Sequence, residues 1–272
     1  MYHNYYNYNK QQLLSNPRIP IIVMRDNPTV FQALADEMIN AVLQNNAVGK
    51  QTVFICPVGP VGHYPYFVSR VNKESISLKN VWIINMDEYL NDDMQWIDKE
   101  NNLSFRGIMD RKVYNNIRSE LLMPAEQRVF PDPNHPELIL QIINELGGVD
   151  ICFGGIGITG HVAFNEPEPD MSMSDFLNLG TRVLEISKET RAVNSISDLN
   201  GNLEDMPKYC ITIGMKEIFA AKKIRLCCFR DWHRAVVRRA AHGETTSEFP
   251  VTLLRQHNDI NLRITDFVAD IC

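Results

Sequence analysis

Short apolar runs, separated by amphipathic stretches, recur along most of the chain. Six are continuously apolar and occupy residues 20–24, 52–58, 81–86, 150–157, 209–214 and 224–229. Continuous apolarity is typical of strands that are covered on both faces, as in a parallel sheet. A seventh run, residues 262–267, alternates apolar and polar positions, so we expect it at an edge of that sheet.

Three of the intervening segments have helical spacing. After Asp26 and Pro28, which supply a capping side chain and a first-turn proline, apolar residues recur every three to four positions up to Leu43. Residues 136–146 and 233–241 form two further helical patterns, each followed by glycine. Because strands and helices alternate without an internal repeat or linker, we predict a single α/β domain with a doubly wound, mostly parallel sheet.

The first part of the chain differs from the rest. Residues 1–15 are rich in Tyr and Asn and show no periodicity, so we predict an N-terminal arm there and place the α/β domain at residues 16–272. The arm is either loose or packed on a partner subunit, because tyrosine side chains bury area well. A homo-oligomer is therefore compatible with this sequence.

The composition of the chain favours a globular protein and argues against nucleic-acid-binding and membrane-spanning classes. The 272 residues and 44% hydrophobic content suit one large globular domain, and the net charge of −6 argues against a nucleic-acid partner. No stretch has the ~20 apolar residues that span a bilayer, and the N-terminus lacks the apolar core of a signal peptide. The six cysteines show no zinc-like spacing and mostly lie in apolar runs. We therefore expect a cytoplasmic, reduced protein with core thiols, no metal and no membrane partner.

The residues that follow the strands are the candidates for a site, because doubly wound sheets bind ligands beyond the carboxyl ends of their strands. Four of these exits have unusual sequence: residues 57–62, 85–89, 154–167 and 230–233. Gly157 and Gly160 in the third exit would let the backbone approach a ligand. Their spacing fits neither a Walker loop nor a dinucleotide fingerprint, and no cofactor is predicted.

Four side chains at these exits have acid–base chemistry. Asp87 and Glu88 end an otherwise apolar strand, where a carboxylate either caps a turn or removes a proton from a carbon next to a carbonyl. His161 and Glu166 are close enough in sequence to form a proton-transfer pair. A lone histidine would more often be structural, but the adjoining Asn-Glu-Pro turn favours the functional interpretation.

Two of these exits resemble the signatures of the glucosamine-6-phosphate deaminase family. They are residues 85–89, NMDEY, and the glycine-rich turn that leads into residues 160–167, GHVAFNEP. Residues 190–195 and 207–214 resemble its connecting segments, and the match runs from about residue 20 to about residue 268. The resemblance implies a Rossmann-like sheet and metal-free chemistry, in which an amino sugar phosphate is opened, isomerised to the ketose and loses ammonia.

The resemblance also implies roles for individual residues. Asp87 would move a proton between C1 and C2, and His161, supported by Glu166, would open the sugar ring. Thr159 stands where the family has an aspartate, which removes a carboxylate from the proton relay. The positions that would bind substrate are Val58, Gly59, Pro60, Val61, Gly62, Glu88, Gly157, Gly160 and His233.

The phosphate-binding part of the family pattern is altered. Val58 and Val61 replace hydroxyl-bearing residues, and Pro60 has no N–H to donate. The family's arginine aligns with Ile196 and its lysine near His233. A phosphate dianion needs several donors to leave water, and this loop offers few.

Other groups are candidates to rebuild an anion site. They are Arg230, Arg234 and His63, helped by the helix that opens near Trp232; the alternative is that these arginines are solvated charges on a helix face.

Three functions follow. The first is a sugar isomerase or deaminase with an altered substrate, whose small-molecule partner is a sugar or sugar phosphate that faces Val58 and Val61. The second is a catalytically impaired sugar-binding or regulatory protein on the same fold. The third is a 6-phosphogluconolactonase-like hydrolase, since such hydrolases share the fold.

Overall fold

In the described part of the chain, ten strands in two sheets form the framework of the protein. The structure is a computed structural model that describes residues 4–271. Within this range the strands are β1 (Ile21–Met24), β2 (Thr52–Cys56), β3 (Val81–Asn85), β4 (Asp87–Leu90), β5 (Arg128–Val129), β6 (Ile151–Gly155), β7 (Arg182–Glu185), β8 (Tyr209–Thr212), β9 (Lys223–Cys228) and β10 (Ile260–Thr265). The larger sheet has the order β1-β10-β9-β6-β2-β3-β5, and all its pairs are parallel.

Helices connect the strands of the larger sheet. The α-helices are α1 (Lys10–Leu14), α2 (Asn27–Ala47), α3 (Tyr64–Glu74), α4 (Phe105–Lys112), α5 (Leu138–Glu145), α6 (Met173–Leu177), α7 (Lys188–Asp198), α8 (Met215–Phe219), α9 (His233–His242) and α10 (Asp266–Ala269). Short 3-10 helices lie at Asn4–Asn7, Val61–His63, Tyr114–Asn116, Ala125–Gln127 and Pro250–Gln256. Across the described residues, no helix combines the length and the apolar character needed to cross a bilayer.

The larger sheet is covered on both faces, as its apolar strands predict. β2 sends Phe54 and Cys56 into one buried cluster, together with residues of α2, α3 and α4. It sends Val53 and Ile55 into a second cluster, on the opposite face, with residues of α5, α8 and α9. The predicted fold class, a Rossmann-like, doubly wound α/β domain with a mostly parallel sheet, is confirmed.

The three helices predicted from spacing are present. The Asp26 side chain accepts a hydrogen bond of 2.9 Å from the Thr29 amide, which caps α2, and Pro28 lies in the first turn. The buried face of α2 includes Val30, Leu34 and Met38, at the predicted helical spacing. The other two patterns correspond to α5 and α9.

The prediction that residues 262–267 form an edge strand is wrong. β10 lies between β1 and β9, and β1 is at the edge instead. The alternating polar positions of β10 do not face water, because Arg263 forms an ion pair with Glu37 of α2. Arg225 of β9 contacts the same carboxylate at 2.6 Å. Arg263 is a polar residue in a strand that is not at an edge, because its charge is paired with Glu37 of α2 instead of facing water. The alternation of polar and apolar residues was therefore misleading here.

Residues 209–214 were also expected in the parallel sheet, and this is wrong. β8 lies instead in a second sheet with the order β4-β8-β7, in which both pairs are antiparallel. Cys210 and Ile211 are both fully buried, so the strand is covered on both faces like those of the larger sheet. An apolar run indicates that a strand is buried on both faces, but it does not indicate whether the strand is parallel or antiparallel to its neighbours.

The described part of the predicted N-terminal arm contacts α9 of the same chain. Arg238 donates to the Tyr8 carbonyl at 2.7 Å, and the His242 ring bonds to the Leu13 carbonyl at 2.8 Å. Leu13 is fully buried. Residues 1–3 of the arm lie outside the described residues, and the division of the chain at residue 15 stays a prediction.

Five of the six cysteines lie in the described part of the chain, at positions 56, 152, 210, 227 and 228, and all are free and buried. Burial raises the pKa of the Cys56 and Cys227 thiols to about 12. A thiol with so high a pKa is not a nucleophile at neutral pH, so these side chains act as small hydrophobic groups.

Candidate functional site

A cleft of about 360 Å³ opens at the carboxyl edge of the larger sheet. Each of the four predicted strand exits contributes to its wall: Val58 after β2, Asp87 after β3, His161 after β6 and Arg230 after β9. The parallel arrangement explains this convergence, because the carboxyl ends of parallel strands lie along one edge. The cleft is therefore the candidate site.

Asp87 lies where the chain leaves the larger sheet and enters the smaller one. The Met86 amide donates to the Cys56 carbonyl of β2, and the Met86 carbonyl accepts from the Ile213 amide that follows β8. Asp87 then begins β4 opposite Thr212, so both sheets fix its backbone. Burial, together with the charge of Glu88, holds its pKa well above the ordinary value. When ionised, such a carboxylate is a stronger base than an exposed one.

His161 is oriented by hydrogen bonds to its Nδ1 atom. The Thr159 hydroxyl lies 2.9 Å from Nδ1, and Glu166 Oε2 lies 3.3 Å from it. The Thr159 hydroxyl also donates to Glu166 Oε2 at 2.8 Å, so its oxygen is free to accept from an Nδ1–H. Of the two neutral tautomers, these partners favour the one with the proton on Nδ1, in which Nε2 is able to accept a proton from a ligand.

Glu166 supports His161 rather than lining the cleft. Burial acts to raise its pKa, but the charge of His161 when its ring is protonated, together with hydrogen bonds from His161, Thr190 and Thr159, outweighs burial and holds the pKa at about 2. Glu166 is therefore ionised at any pH at which the protein would work. Thus Asp87 and His161 both line the cleft, whereas Glu166 and Thr159 contact the His161 ring without lining the cleft.

Gly157 makes room for the His161 ring. A Cβ added at Gly157 would lie 1.9 Å from Nε2 of His161, whereas real Cβ contacts are longer than 3 Å. The Gly157 amide also donates to the His161 carbonyl at 2.9 Å, which closes the turn. Only glycine allows the ring to occupy its present place beside the cleft.

Gly157→Ala should therefore displace the ring and lower turnover by ~10²-fold, as misplacements of about 1 Å do. Gly180→Ala is the matched control, because its added Cβ would be 3.5 Å from the nearest atom, an ordinary contact. Steady-state rates of the two variants, compared at equal folded fraction by circular dichroism, test the role of the ring position. Equal rates for the two variants would contradict it.

Glu88 is directed away from the cleft, although it was predicted to bind substrate. Its carboxylate is fully buried and accepts hydrogen bonds from the amides of Tyr89, Phe105 and Arg106, from the Ser104 hydroxyl and from Nε of Arg106. Four of these donors belong to the first turn of α4 and its cap. Glu88 thus fixes the start of α4, whose later residues line the cleft.

The loop after β2 lines the cleft with Val58, Gly59, Pro60 and Val61. Gly62 does not line the cleft but lies against the ring of Phe31, which a Cβ would overlap at 2.3 Å. Gly160 has φ +83°, and a Cβ at this position would overlap the ring of Phe249 at 2.5 Å. Glycine is therefore needed here for the backbone conformation of the turn and not for contact with a ligand. His233 lines the cleft.

Only one of the three groups expected to rebuild an anion site lines the cleft. Arg230 does so. His63 is fully buried beside Tyr64, and burial lowers its pKa to about 4. Arg234 lies over the Phe267 ring at 3.8 Å and donates to its carbonyl.

Several residues of the cleft were not predicted as site residues. Tyr89 and Asn194 line it and are joined by a hydrogen bond of 3.1 Å; both belong to motifs that carry the family resemblance, which could have pointed to them. Lys112 at the end of α4 and Asp198 at the end of α7 also line it. Both are exposed residues on helices, and no local pattern distinguishes them from solvated charges.

No group of His, Cys, Asp or Glu within residues 4–271 is arranged to hold a metal ion. The chemistry that the arrangement offers is proton transfer between a carboxylate and an imidazole across a cleft with mainly apolar walls.

Known proteins share both the sequence and the fold. No protein-family model matches the chain. A glucosamine-6-phosphate deaminase of Clostridium perfringens is 25% identical over 254 residues, which cover 92% of this chain and 98% of the relative. The solved structure of a monomeric glucosamine-6-phosphate deaminase superposes with a TM-score of 0.80 at 22% identity, over 92% of this chain and 99% of the other.

A 6-phosphogluconolactonase from Trypanosoma brucei is more distant. Its structure superposes with a TM-score of 0.66 at 13% identity, over 93% of this chain and 98% of the other. Both structures share the fold of this chain, and the Clostridium perfringens relative matches 92% of its length. The chain is thus similar in sequence to glucosamine-6-phosphate deaminases, and it shares its fold with them and with 6-phosphogluconolactonases.

Proposed function

We propose that the protein isomerises a small amino sugar, or a related sugar, from aldose to ketose and releases ammonia when C2 carries an amine. One observation carries this proposal: a buried carboxylate, Asp87, and an oriented imidazole, His161, lie in the same cleft. The comparisons support it, because the relatives are named as glucosamine-6-phosphate deaminases.

The reaction needs two proton transfers that these residues can supply. His161 accepts the proton of the C1 hydroxyl at Nε2 and delivers it to O5 as the C1–O5 bond breaks, so that the ring opens and C1 becomes a carbonyl. Asp87 then removes the proton from C2; the electron pair forms a C1–C2 double bond while the C1 oxygen is protonated. Returning the proton to C1 leaves an iminium at C2. Water adds to this carbon and ammonia leaves, which yields the ketose.

One observation favours a second candidate, a sugar-binding protein with impaired catalysis. Thr159 places a hydroxyl, rather than a carboxylate, between His161 and Glu166. A hydroxyl transmits a hydrogen bond but does not hold a negative charge, so it stabilises an imidazolium less well. A lactone hydrolase is the third candidate, supported by the shared fold alone.

Exchange with deuterated water separates these candidates. Glucosamine, N-acetylglucosamine and their 6-phosphates are incubated with the protein and followed by NMR, with ammonia measured in parallel. Isomerisation places solvent deuterium on carbon next to the carbonyl, whereas a binding protein or a lactonase gives none. His161→Gln should lower the exchange rate by ~10²–10⁴-fold, as the loss of a general acid–base group does.

The matched control is His135→Gln, which changes an exposed histidine whose ring contacts Glu137. It should exchange deuterium at the wild-type rate. Absence of deuterium from every sugar, or equal rates in the two histidine variants, would rule the proposal out.

A further inference from the structure

Two backbone amides near the strand exits donate hydrogen bonds within the protein. The Val61 amide donates to the Gly59 carbonyl at 3.1 Å, and Pro60 has no amide hydrogen. At the start of α9, the His233 amide donates to the Arg230 carbonyl at 3.0 Å. A helix start and a strand-to-helix loop ordinarily bind anions through such free amides. Here these amides are occupied.

His233 occupies two further donors. Its Nδ1 accepts from the amides of Phe229 and Arg230, at 2.9 and 2.8 Å, so Nδ1 carries no proton. Its Nε2 therefore carries the ring proton and donates it to the Ile156 carbonyl at 3.1 Å. Burial lowers the pKa of His233 to about 3, and the charge of Arg230 acts in the same direction. His233 is thus a neutral group with no donor left for a ligand.

Within residues 4–271, the cleft lining contains two cationic side chains and two carboxyl groups. Among the described residues of the lining, the cations are Lys112 and Arg230 and the carboxylates are Asp87 and Asp198. The Arg230 guanidinium donates to the Ser197 hydroxyl, next to Asp198. Burial raises the pKa of Asp198, while the positive charge of Arg230 acts to lower it. An arginine with a carboxylate beside it holds a dianion weakly, because the like charges of ligand and carboxylate repel.

From these contacts we propose that the sugar bound by this cleft is unphosphorylated, and that Asp198 and Arg230 recognise hydroxyl groups at its non-reacting end. This proposal rests on the proposed function of the same cleft. A carboxylate beside a guanidinium offers an acceptor and a donor to neutral hydroxyls, while Val58 and Val61 contact the apolar face of the sugar carbons. Asp198 then selects against phosphate by charge.

Direct binding tests the proposal independently of turnover. Isothermal titration calorimetry compares glucosamine with glucosamine 6-phosphate on the wild-type protein, on Asp198→Asn and on Asp170→Asn. Asp170 is an exposed aspartate that does not line the cleft and serves as the control. We expect the wild type and the control to bind glucosamine roughly tenfold more tightly than its phosphate, and Asp198→Asn to lose most of that preference by binding the phosphate better.

Two outcomes of the comparison between the sugars would overturn the proposal. One is binding of glucosamine 6-phosphate at least as tight as that of glucosamine, and the other is a preference that Asp198→Asn leaves unchanged. Failure to bind either sugar at millimolar concentration would also overturn it. Selective binding of the unphosphorylated sugar without deuterium exchange would refute the proposed isomerase function and leave this inference standing.

Discussion

Replacing Asp87 by asparagine is expected to lower kcat/KM by ~10²–10⁴-fold, because the amide cannot remove a proton from C2. The same change is expected to make the folded protein more stable. Asp87 is only 6% exposed, and burial raises its pKa well above the ordinary value, which means that its ionised form destabilises the folded state. An uncharged asparagine of the same shape removes this cost.

The sign of the pH dependence follows from the direction of the shift. The folded protein holds the Asp87 proton more tightly than the unfolded chain does. The free energy of unfolding of the wild type therefore falls as the pH rises from the unfolded-state pKa through the folded-state pKa. Asp87→Asn has no carboxyl group at this position, so its stability does not fall in this way. The difference in melting temperature between the variant and the wild type should therefore grow over that pH range. Activity of the wild type should fall as the pH is lowered through the same folded-state pKa.

Thermal melts and steady-state rates over a pH series measure both effects, with Asp93→Asn, an exposed aspartate, as the control. A variant that loses activity because it unfolds would melt lower than the wild type at every pH. That result, or a rate within a few-fold of the wild type, would contradict the assignment of Asp87 as the buried base.

Replacing the neighbouring Glu88 should have the opposite effect on stability. Glu88→Ala removes a fully buried carboxylate and leaves the Arg106 guanidinium and the amides at the start of α4 without their acceptor. Loss of one partner of a buried ion pair costs ~3–5 kcal/mol. Activity should fall too, because Phe105 and Ile108 of α4 line the cleft.

Urea denaturation, followed by fluorescence, gives the change in the free energy of unfolding. Glu88→Gln keeps one acceptor oxygen and should lose less stability than Glu88→Ala, while Glu100→Ala at an exposed position should unfold at the wild-type midpoint. If Glu88→Ala weakened sugar binding but left the midpoint unchanged, Glu88 would be a ligand-binding residue and not the anchor of α4.

These two carboxylates show what the sequence can and cannot predict about the site. Successive side chains of a strand point to opposite faces, so Asp87 and Glu88 cannot both enter one cleft. The sequence does not say which one does, because that depends on where α4 packs. The convergence of the strand exits was predictable, since it follows from parallel strand order alone.

The helix residues that line the cleft could not be predicted from strand order. Lys112 and Asp198 line the cleft because of how α4 and α7 cross the sheet, and crossing is a property of tertiary packing. The sequence also could not predict that both ring nitrogens of His233 are occupied by hydrogen bonds. Their partners are backbone groups of residues 156, 229 and 230, and residue 156 is far away in the sequence. The ion pair between Arg263 of β10 and Glu37 of α2, which explains a polar position in an inner strand, joins residues far apart in the sequence, so no local pattern reveals it.

The position of β10 has a consequence for how the molecule can assemble. Among residues 4–271, β1 has no neighbour in its sheet other than β10, which lies more than 230 residues later in the chain. During synthesis, residues 21–24 must therefore wait for residues 260–265 before they can dock. A chain cut short by a premature stop ahead of residue 260 would leave the edge of β9 bare and β1 without a partner, and such a product should aggregate rather than fold.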